Sequence, residues 1–575
     1  MRRTALLVAA IAALSSVPAP ASADQGPAPA HPAHPASTRQ APAHRAPAHP
    51  VRTTDATYHN GATTPGADPH VLFDRPSGYY YAYSTEGADP GYHFAVYRSP
   101  DLATWEHLPG GALRAGQDGD WAHDWFWAPE VYHNPATGLY FLFYAARMNR
   151  GVAEHFRYAD FEEPCKVGVA VSRSPAGPFH DIVEAPLDYH PYDPAYHDVN
   201  LIMDAEQKKP PATQAEGRTA PLGTYIPYID PNVFFDADGR TYLYFSRNAY
   251  RNWVWDDDLG KYVEESNIYA VELTGDWWHD PTGRTMPTIA PAYRDANLAP
   301  GDPAGTRKDG YVPVLAYGSD EQAWENAHVD DYARSGGGKK DRRWAEGSTT
   351  IRTVDGQGNP RYHLTYSANN YENEFYGVGY ATADGPLGPW RKSPANPVLS
   401  QDPAKGLYST GHGSVIGSPD GEELYYVHHG RPSTTSSRAL YTSRLHLGDD
   451  LSIDASTSDE PLPSGVGPLR LRADDRVLRV RPGGSATTAV HAAGARGAGF
   501  ALANPQNRVR AELWPADAGT VVVRGDQVTV TAHRPARLTV VYQRRLADGG
   551  YRDVANTGRR HSSPVRVTIP VVVRP

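Results

Sequence analysis

One stretch of the chain has the hydrophobic and polar pattern of a β-hairpin. Residues 228–247 read YIDPNVFFDADGRTYLYFSR: an acid before proline, an apolar run, a short polar turn, and a second run rich in Tyr and Phe. β-Branched and aromatic residues favour strands. Asp236, Asp238 and Gly239 are residue types that tolerate the positive φ of a tight turn. The pattern therefore predicts two antiparallel strands joined at these three residues.

The same pattern occurs five times along the chain. Each copy has a small or acidic opening, an apolar strand, a turn with Gly or Asp, and an aromatic strand, and the copies open near Asp68, Pro129, Asp230, Glu346 and Gly411. A second strand–turn–strand element follows three of the copies, from Phe94, Val167 and Val378. Two hairpins make a four-stranded unit, so the repeats predict an all-β fold with a five-bladed β-propeller.

Four of the repeats carry a carboxyl group at their opening, at Asp68, Glu130, Asp230 and Glu346. In a propeller the first strand of each blade lies nearest the central axis, so residues that open these strands converge at one mouth of the channel. We therefore expect the four carboxyls to occupy equivalent positions and to form a cluster. Crowded carboxyls shift one another's pKa, which allows separate acid and base roles.

Segments of different composition flank the predicted propeller, which we assign to residues 55–457. Residues 1–23 have two arginines, a short apolar run and an Ala-Ser-Ala sequence, as in a secretory signal peptide. Residues 24–54 are rich in Pro, Ala and His and are predicted to be a disordered linker. We therefore expect a secreted, extracellular protein without membrane attachment after signal cleavage.

The C-terminal segment, residues 458–575, contains short alternating strands separated by Gly and Pro. This pattern predicts a small β-sandwich, for which an immunoglobulin-like form is one candidate. The segment has 18 Arg, no Lys and 9 acids, a formal charge of +9, so with −10 for the whole chain the remainder carries −19. The opposite charges of the two parts favour their docking against each other, which is the explanation that we prefer. The positive charge of the C-terminal segment would also favour attraction to an acidic polysaccharide. Secretion and the absence of a basic–aromatic motif argue against a nucleic-acid partner.

Composition adds three points to this picture. Aromatic residues form 11% of the chain, with 36 Tyr and 12 Trp, which suits a β-protein that handles sugars, although blade packing accounts for most of them. The single cysteine, Cys165, is expected to be a packed residue rather than a catalytic thiol. Two insertions, 188–225 and 277–344, either shape a binding site or are peripheral. We expect a monomer, since no self-complementary apolar face is evident.

Five motifs together resemble glycoside hydrolase family 43. They are ADPHVLFD around Asp68, WAPEV at 127–131, YIDPNVFFDADGRTYLYF around Asp230, EGS at Glu346 and GHGSV at Gly411. They occur in the family's order and cover the propeller only. The family consists of five-bladed propellers that act on polysaccharides containing arabinose and xylose. The resemblance therefore implies a glycosidase whose partner is an oligosaccharide or polysaccharide.

The resemblance also implies roles for three acids. Asp68 would be the general base, Glu346 the general acid, and Asp230 the residue that raises the pKa of the acid and orients it. Glycoside cleavage needs one protonated carboxyl and one carboxylate on opposite faces of the sugar. If Asp68 activates a water, the anomeric centre is inverted and the carboxyls of base and acid should lie roughly 6.5–9.5 Å apart.

Other residues are expected to contact the substrate. Trp127 would stack on a sugar ring, whereas Trp125 and Phe126 are equally suited to core packing. Arg438 resembles a substrate-binding arginine of exo-acting relatives, and Arg431 is the alternative. We expect a structural role for the remaining carboxyl, Glu130, beside Trp127.

His412 is expected near the substrate as well, because it resembles a histidine that lies close to a calcium ion on the axis of arabinan-cleaving relatives. No cofactor is expected to be required, and no metal ligands can be assigned. A calcium ion in the channel is compatible with the resemblance and would need oxygen ligands.

Alternatives remain open for the function. A fructan hydrolase of the same fold would carry an Asn-Asp-Pro-Asn opening, whereas residues 66–70 read Gly-Ala-Asp-Pro-His. A non-catalytic, carbohydrate-binding propeller would not need all three acids. The leading hypothesis is a secreted inverting glycosidase that releases arabinose or xylose from plant cell-wall polysaccharide, and a glycosidase of the same fold that acts on another glycan, such as galactan, is an alternative. At 346–348 the chain has Glu-Gly-Ser where the family often has Glu-Gly-Pro, and its insertions are long. These departures leave the sugar, the linkage and the exo or endo mode open.

Overall fold

The computed structural model describes residues 57–58, 60 and 62–574, apart from 117–120, 154–162, 188–212, 214, 216–227, 295–310, 316–319, 419–420, 422, 449, 456–459, 462, 464–468, 495–498, 501, 503–506, 546–550 and 558–561. The predicted signal peptide and linker, and almost all of the insertion at 188–225, lie outside the described residues. Across the described part of the chain no helix is long and apolar enough to span a membrane. The predicted all-β class is confirmed.

Five units of β-strands follow one another between residues 70 and 454, and each begins with a hairpin. The first two units contain β2 (His70–Asp74), β3 (Tyr79–Ser84), β5 (Ala95–Ser99) and β6 (Glu106–Leu108), then β8 (Ala122–Asn134), β9 (Leu139–Met148), β10 (Cys165–Ser172) and β11 (His180–Asp181). Short strands outside the units are β1 (Thr57–Tyr58), which pairs with β24 (Glu460–Pro461), and β4 (Tyr92–His93), which pairs with β7 (Leu113–Arg114).

The other three units have the same antiparallel order. They contain β12 (Tyr228–Phe235), β13 (Thr241–Asp256), β14 (Lys261–Leu273) and β15 (Val312–Leu315); then β16 (Arg342–Val354), β17 (Pro360–Ala368), β18 (Gly377–Ala383) and β19 (Arg391–Lys392); then β20 (Tyr408–Gly417), β21 (Leu424–Arg431), β22 (Ala439–Leu447) and β23 (Leu451–Asp454). All five predicted hairpins, and the second elements predicted from Phe94, Val167 and Val378, are therefore confirmed.

Helical segments are short. In the described part of the chain they include the α-helices Asp276–His279, Pro291–Arg294 and Asp331–Arg334 and the 3₁₀-helices Ala323–Asn326, Pro403–Lys405 and Ala516–Ala518.

The hairpin at 228–247 forms as predicted, but its turn is built differently. Strands β12 and β13 pair in antiparallel register, and the N–H of Asp236 donates to the carbonyl of Arg240 over 2.9 Å. Of the three turn residues predicted to tolerate positive φ, only Gly239 has it, at 88°. Asp236 and Asp238 instead accept hydrogen bonds from backbone N–H groups of the turn through their carboxylates. Short polar side chains thus stabilise the turn, and only Gly239 supplies left-handed backbone.

The first strands of the five units contact one another in sequence: β2 with β8, β8 with β12, β12 with β16, β16 with β20, and β20 with β2. One hydrogen bond recurs at four of these junctions, from a backbone N–H of one first strand to a side chain of its neighbour. The pairs are Val131 to His70 (2.9 Å), Val233 to Glu130 (3.2 Å), Thr350 to Asn232 (3.2 Å) and Val71 to Ser414 (3.0 Å). At the fifth junction the hydroxyl of Thr349 donates to the carbonyl of Gly413 over 2.8 Å.

Strands β13 and β14 extend well beyond the other hairpins. At the far end β14 pairs in parallel with the beginning of β16, so that Ser266 lies opposite Trp344. The hydroxyl of Ser266 also donates to the carbonyl of Ala345 over 2.9 Å. The third and fourth units are therefore joined into one eight-stranded sheet. This pairing fixes the segment that leads into Glu346.

The C-terminal strands form two further sheets. One contains β25 (Leu469–Ala473), β27 (Gly484–Gly494), β28 (Gly499–Phe500), β30 (Gly519–Arg524) and β31 (Gln527–Ala532); the other contains β26 (Leu478–Val480), β29 (Asn507–Trp514), β32 (Ala536–Arg545), β33 (Tyr551–Asp553) and β36 (Arg566–Val573). Strands β34 (Ala555–Thr557) and β35 (Ser562–Pro564) pair with each other. Both sheets contribute buried side chains to one hydrophobic cluster, including Leu471 and Val528 from the first and Leu538 and Ile569 from the second.

Candidate active site

Residues with left-handed backbone lie at corresponding points of the five first strands, inside the strand in four units and two residues before it in the first. They are Asp68 (φ 56°), Ala128 (66°), Asp230 (60°), Gly347 (59°) and His412 (53°). The strand register shifts at this point in four of the five units. A non-glycine residue with positive φ is uncommon and is often found at functional sites.

This register corrects the prediction that four carboxyls occupy equivalent positions. Asp68 and Asp230 are equivalent, since both are the left-handed residue of their strand. Glu346 lies one residue before that position, and Glu130 lies two residues after it. The side chain of Glu130 therefore takes the place that His70 and Asn232 take in their strands, and it binds the neighbouring strand.

Asp68 is fully buried and lies beside a cation. Its Oδ1 accepts a hydrogen bond from Nη1 of Arg438 over 2.7 Å, and Nη2 of Arg438 donates to Glu86 over 2.6 Å. The backbone N–H of Asp68 donates to Nδ1 of His429 over 3.2 Å. The second carboxylate oxygen, Oδ2, has no hydrogen-bond partner within the described part of the chain. One oxygen is thus fixed by an ion pair while the other is left for a water or a substrate.

Asp230 is buried and is held by two neutral donors. Its Oδ2 accepts hydrogen bonds from the hydroxyl of Ser246 and from the backbone N–H of Gly347, the latter over 3.2 Å. Burial raises the pKa of Asp230 to about 8, and the negative charge of Asp68 adds to this rise, while the two hydrogen bonds oppose it. The contact with Gly347 places Asp230 directly beside Glu346.

Glu346 is buried and is held by two donors. Nε1 of Trp344 donates to Oε2 over 2.6 Å, and the hydroxyl of Tyr376 donates to Oε1 over 2.9 Å. Burial, and after it the charge of Asp230, raises the pKa of Glu346 well above its ordinary value, against the effect of the two donors. The environment therefore favours the protonated form of this carboxyl, the form that a general acid requires.

His412 lies beside both Asp68 and Tyr376, the residue that donates to Glu346. Its Nδ1 lies 3.2 Å from the hydroxyl of Tyr376 and 3.8 Å from Oδ1 of Asp68, and its backbone N–H donates to the hydroxyl of Ser367 over 2.8 Å. Burial lowers the pKa of His412 well below its ordinary value, so the ring is neutral. A Cβ at Gly347 would lie 2.3 Å from Nε2 of His412, and only glycine allows this close approach.

The predicted aromatic residues are divided between surface and core. Trp125 and Trp127 are half-buried and stack with ring centroids 5.2 Å apart and an interplanar angle of 10°. The guanidinium of Arg147 lies 4.1 Å from the centroid of Trp125. Phe126 is buried and stacks on His93 at 3.7 Å. Phe126 is thus a core residue, whereas Trp125 and Trp127 keep partly exposed aromatic faces.

The two candidate arginines lie on the same tyrosine. The guanidinium of Arg438 is 4.3 Å from the ring centroid of Tyr371, and that of Arg431 is 5.7 Å from it. Arg438 is almost fully buried and bonds two carboxylates. These contacts show that Arg438 holds the carboxylate of Asp68. Burial and the charge of Arg438 lower the pKa of Arg431.

Four residues of the site were not found from the sequence: Trp344, Tyr376, His429 and Ser246. Trp344 had a usable signal, because residues two apart on a strand face the same side and Trp344 precedes Glu346 by two. The other three reach the site from later strands or loops, and nothing in the local sequence distinguishes them. Cys165 is buried and free, as predicted. Its burial raises the pKa of the thiol.

Metal binding remains a prediction. Within the described ranges, no group of three or more His, Cys, Asp and Glu residues is arranged to hold an ion.

The profile described as "Glycosyl hydrolases family 43" matches residues 62–210 and 339–450, which contain Asp68, Glu346 and His412. The chain belongs to glycoside hydrolase family 43. This family-43 protein is therefore a glycoside hydrolase.

Individual relatives have modest sequence identity. A protein from Aspergillus niger named "Beta-D-galactofuranosidase xynD" is 24% identical over 388 residues, which is 65% of this chain and 76% of the relative. "Xylosidase/arabinosidase 43A" from Humicola insolens is 26% identical over 212 residues, which is 37% of this chain and 43% of the relative. The crystal structure of a thermostable family-43 glycoside hydrolase matches 71% of this chain and 100% of its own, with 28% identity and a TM-score of 0.47.

Proposed function

We propose that this protein is an inverting glycosidase that releases arabinose or xylose from plant cell-wall polysaccharides. Glu346 is the general acid, Asp68 the general base, and Asp230 the modulator of the acid's pKa. The observation that carries the proposal is the contrast between two buried carboxyls. Asp68 is ion-paired with Arg438, whereas Glu346 lies beside a second acid and two neutral donors. Such opposed environments suit a base and an acid in one site.

The contacts suggest how the groups divide the reaction. Glu346 gives its proton to the glycosidic oxygen while a water attacks the anomeric carbon from the opposite face. Asp68 takes a proton from this water, and its unpartnered Oδ2 is the oxygen available for that step. One bond to the anomeric carbon forms as the other breaks, so the configuration is inverted. Asp230 contacts Gly347 rather than bonding Glu346 directly, and it acts on the acid through its charge.

The proposal also covers the architecture of the two domains and the location of the protein. The five units form a closed five-bladed propeller, supported by the contact of β20 with β2 and the hydrogen bond from Val71 to Ser414. A C-terminal β-sandwich follows, supported by the hydrophobic cluster that its two sheets share. The protein is secreted by way of residues 1–23, acts as a monomer, and has Trp127, His412 and Arg438 near its substrate.

A second candidate substrate is β-D-galactofuranose. The relative named as a galactofuranosidase aligns with 65% of this chain, a longer stretch than the relative named as a xylosidase/arabinosidase. Galactofuranose and arabinofuranose are both five-membered rings, so one pocket shape suits both. The sugar must therefore be determined by measurement.

The test is hydrolysis of nitrophenyl α-L-arabinofuranoside, β-D-xyloside and β-D-galactofuranoside by the wild type, Asp68→Asn and Glu346→Gln. We expect one substrate to be cleaved, with proton NMR showing the inverted anomer first. Asp68→Asn should lose activity on every substrate. Glu346→Gln should retain more activity on a dinitrophenyl glycoside, because a good leaving group needs no general acid.

Two outcomes would contradict the proposal. Retention of anomeric configuration would assign a nucleophile rather than a base to the site. Absence of cleavage of all substrates, together with binding to polysaccharide, would indicate a non-catalytic propeller.

A further inference from the structure

The exposed tryptophan of the C-terminal strands stands apart from the family-43 match. Trp514 ends strand β29, and 73% of its surface is exposed, against 50% for Val522, the next most exposed large hydrophobic residue among those described. Trp514 lies beyond residue 450, where the family match ends. A nearly free indole ring on a rigid strand is unfavourable in water and commonly marks an interaction site.

The backbone register places three other exposed residues in line with Trp514. Trp514 lies opposite Arg537 of β32, and Arg537 lies opposite Pro570 of β36. Arg479 of β26 lies opposite Val572, two residues further along β36. Because adjacent strands are roughly 4.8 Å apart, this line crosses four strands over roughly 14 Å.

All four residues face away from the domain core. Their neighbours along the strands, among them Leu513, Leu538, Ile569 and Leu478, contribute to the hydrophobic cluster between the sheets. Since successive side chains on a strand point to opposite faces, Trp514, Arg537, Pro570 and Arg479 lie on the outer face. The residues themselves are exposed. We call this set the outer line.

The outer line carries positive charge without compensation. Arg537 and Arg479 form no ion pair with any residue that the structure describes, whereas the nearby acids Glu512 and Asp517 are paired with Arg510 and Arg534. Residues 458–575 as a whole have a formal charge of +9. An aromatic face offers stacking to a sugar ring, and an unpaired guanidinium offers paired hydrogen bonds to a carboxylate.

We propose that the outer line is a binding site for a polysaccharide that carries uronic-acid carboxylates. Trp514 stacks on one sugar ring, and Arg537 and Arg479 bind carboxylates further along the same polymer. The flat, extended arrangement suits a chain that lies across the sheet rather than a chain end. The inference rests on the proposed function, since the site would keep the hydrolase on its polymeric substrate.

The experiment measures binding of the full chain by affinity gel electrophoresis, with glucuronoxylan and with the same polymer after chemical reduction of its carboxyl groups. The variants are Trp514→Ala and the double variant Arg537→Ala with Arg479→Ala. The matched controls are Val522→Ala and Arg524→Ala, which change exposed residues on strand β30 of the opposite sheet. Melting temperatures of all proteins establish that they are folded.

We expect the wild type and both controls to bind glucuronoxylan, and Trp514→Ala to bind it about tenfold more weakly, as for an aromatic hot spot. The double arginine variant should lose affinity for glucuronoxylan but match the wild type on the reduced polymer. Wild-type binding to glucuronoxylan should weaken between about 10 mM and 300 mM salt, because exposed charges are screened.

Three results would overturn the proposal: equal wild-type affinity for the two polymers, no binding to either, or unchanged binding by Trp514→Ala. Self-association that Trp514→Ala abolishes would also overturn it, because the face would then belong to a second copy of the chain. Aryl-glycoside hydrolysis by the same wild-type preparation tests the proposed function separately. A protein that hydrolyses these glycosides but binds no polymer refutes only the binding site.

Discussion

The indole N–H of Trp344 donates to Oε2 of Glu346 over 2.6 Å, from two residues earlier on the same strand. The ring is fixed by backbone structure, because Trp344 lies opposite Ser266 where β14 and β16 pair in parallel. A donor stabilises the charged form of a carboxyl, so this bond lowers the pKa of Glu346 while burial and Asp230 raise it. The proton affinity of the acid is therefore set by opposing contacts that can be removed one at a time.

Replacing Trp344 by Phe should move the basic limb of the kcat/KM profile to higher pH. The variant removes the donor, so the pKa of Glu346 rises further and the acid keeps its proton longer as pH increases. The rate at the optimum should fall about tenfold, because the carboxyl is held less firmly. The measurement is a pH–rate profile with an aryl glycoside. Trp324→Phe is the control, since its Nε1 donates to Gln322 instead. A limb that stays in place would contradict the assigned role.

Replacing Asp230 by Asn should move the same limb in the opposite direction. The charge of Asp230, which forms as pH rises through its own pKa of about 8, raises the pKa of Glu346, so removal of this charge lowers the pKa of Glu346. Because the protonated acid is the active form, activity is then lost at lower pH, by about one pH unit or more. Asn still offers an oxygen to Ser246 and Gly347, so the fold is retained. The profile of Asp230→Asn, compared with that of Trp344→Phe, tests the model, and shifts in the same direction would refute it.

Glu130 should be dispensable for catalysis although it is a fully buried acid near the site. Burial raises the pKa of Glu130 well above its ordinary value, which favours the neutral form, and its Oε2 accepts the N–H of Val233. Glu130→Gln preserves both the neutral charge and the acceptor, so kcat/KM should stay within about twofold. Glu130→Ala should lower the free energy of unfolding by about 0.5–1.5 kcal/mol, because it removes one hydrogen bond while the N–H of Val233 keeps the hydroxyl of Tyr132 as its acceptor.

Urea unfolding and aryl-glycoside kinetics on the two Glu130 variants separate stability from catalysis. A hundredfold loss of activity in a well-folded Glu130→Gln protein would show that this acid takes part in the reaction.

The repeat pattern was sufficient to predict the strands, because each hairpin has its own apolar runs and turn residues. It was insufficient for the exact alignment of the site. In the sequence, Glu130 and Glu346 open their repeats as Asp68 does, yet in the structure Glu346 lies one residue before the left-handed position and Glu130 two residues after it. The register shifts that cause this depend on pairing with the second strand of each hairpin. A pattern of residue types along one strand does not specify that pairing.

The three acids could be predicted because their motifs are local. The residues that determine their chemistry could not, since they come from elsewhere in the chain. Arg438 reaches Asp68 across 370 positions, and Tyr376 reaches Glu346 from a turn that precedes β18. Only tertiary packing brings such groups together. The resemblance predicts that Arg438 binds substrate, and its observed contact is with the carboxylate of Asp68.

Gly347 should be irreplaceable in the motif that follows the acid. An Ala at this position would place its Cβ 2.3 Å from Nε2 of His412, at a φ of 59° that L-residues rarely adopt. The strain of that backbone alone costs about 1–2 kcal/mol, and the buried ring of His412 must also move. We expect Gly347→Ala to lower both the melting temperature and kcat, the latter at least tenfold, because the peptide N–H of Gly347 also holds Asp230. Gly356→Ala is the control, since it has no atom within 4 Å of the added Cβ. If Gly347→Ala behaved like this control in calorimetry and kinetics, the close contact between the acid's strand and His412 would have no functional importance.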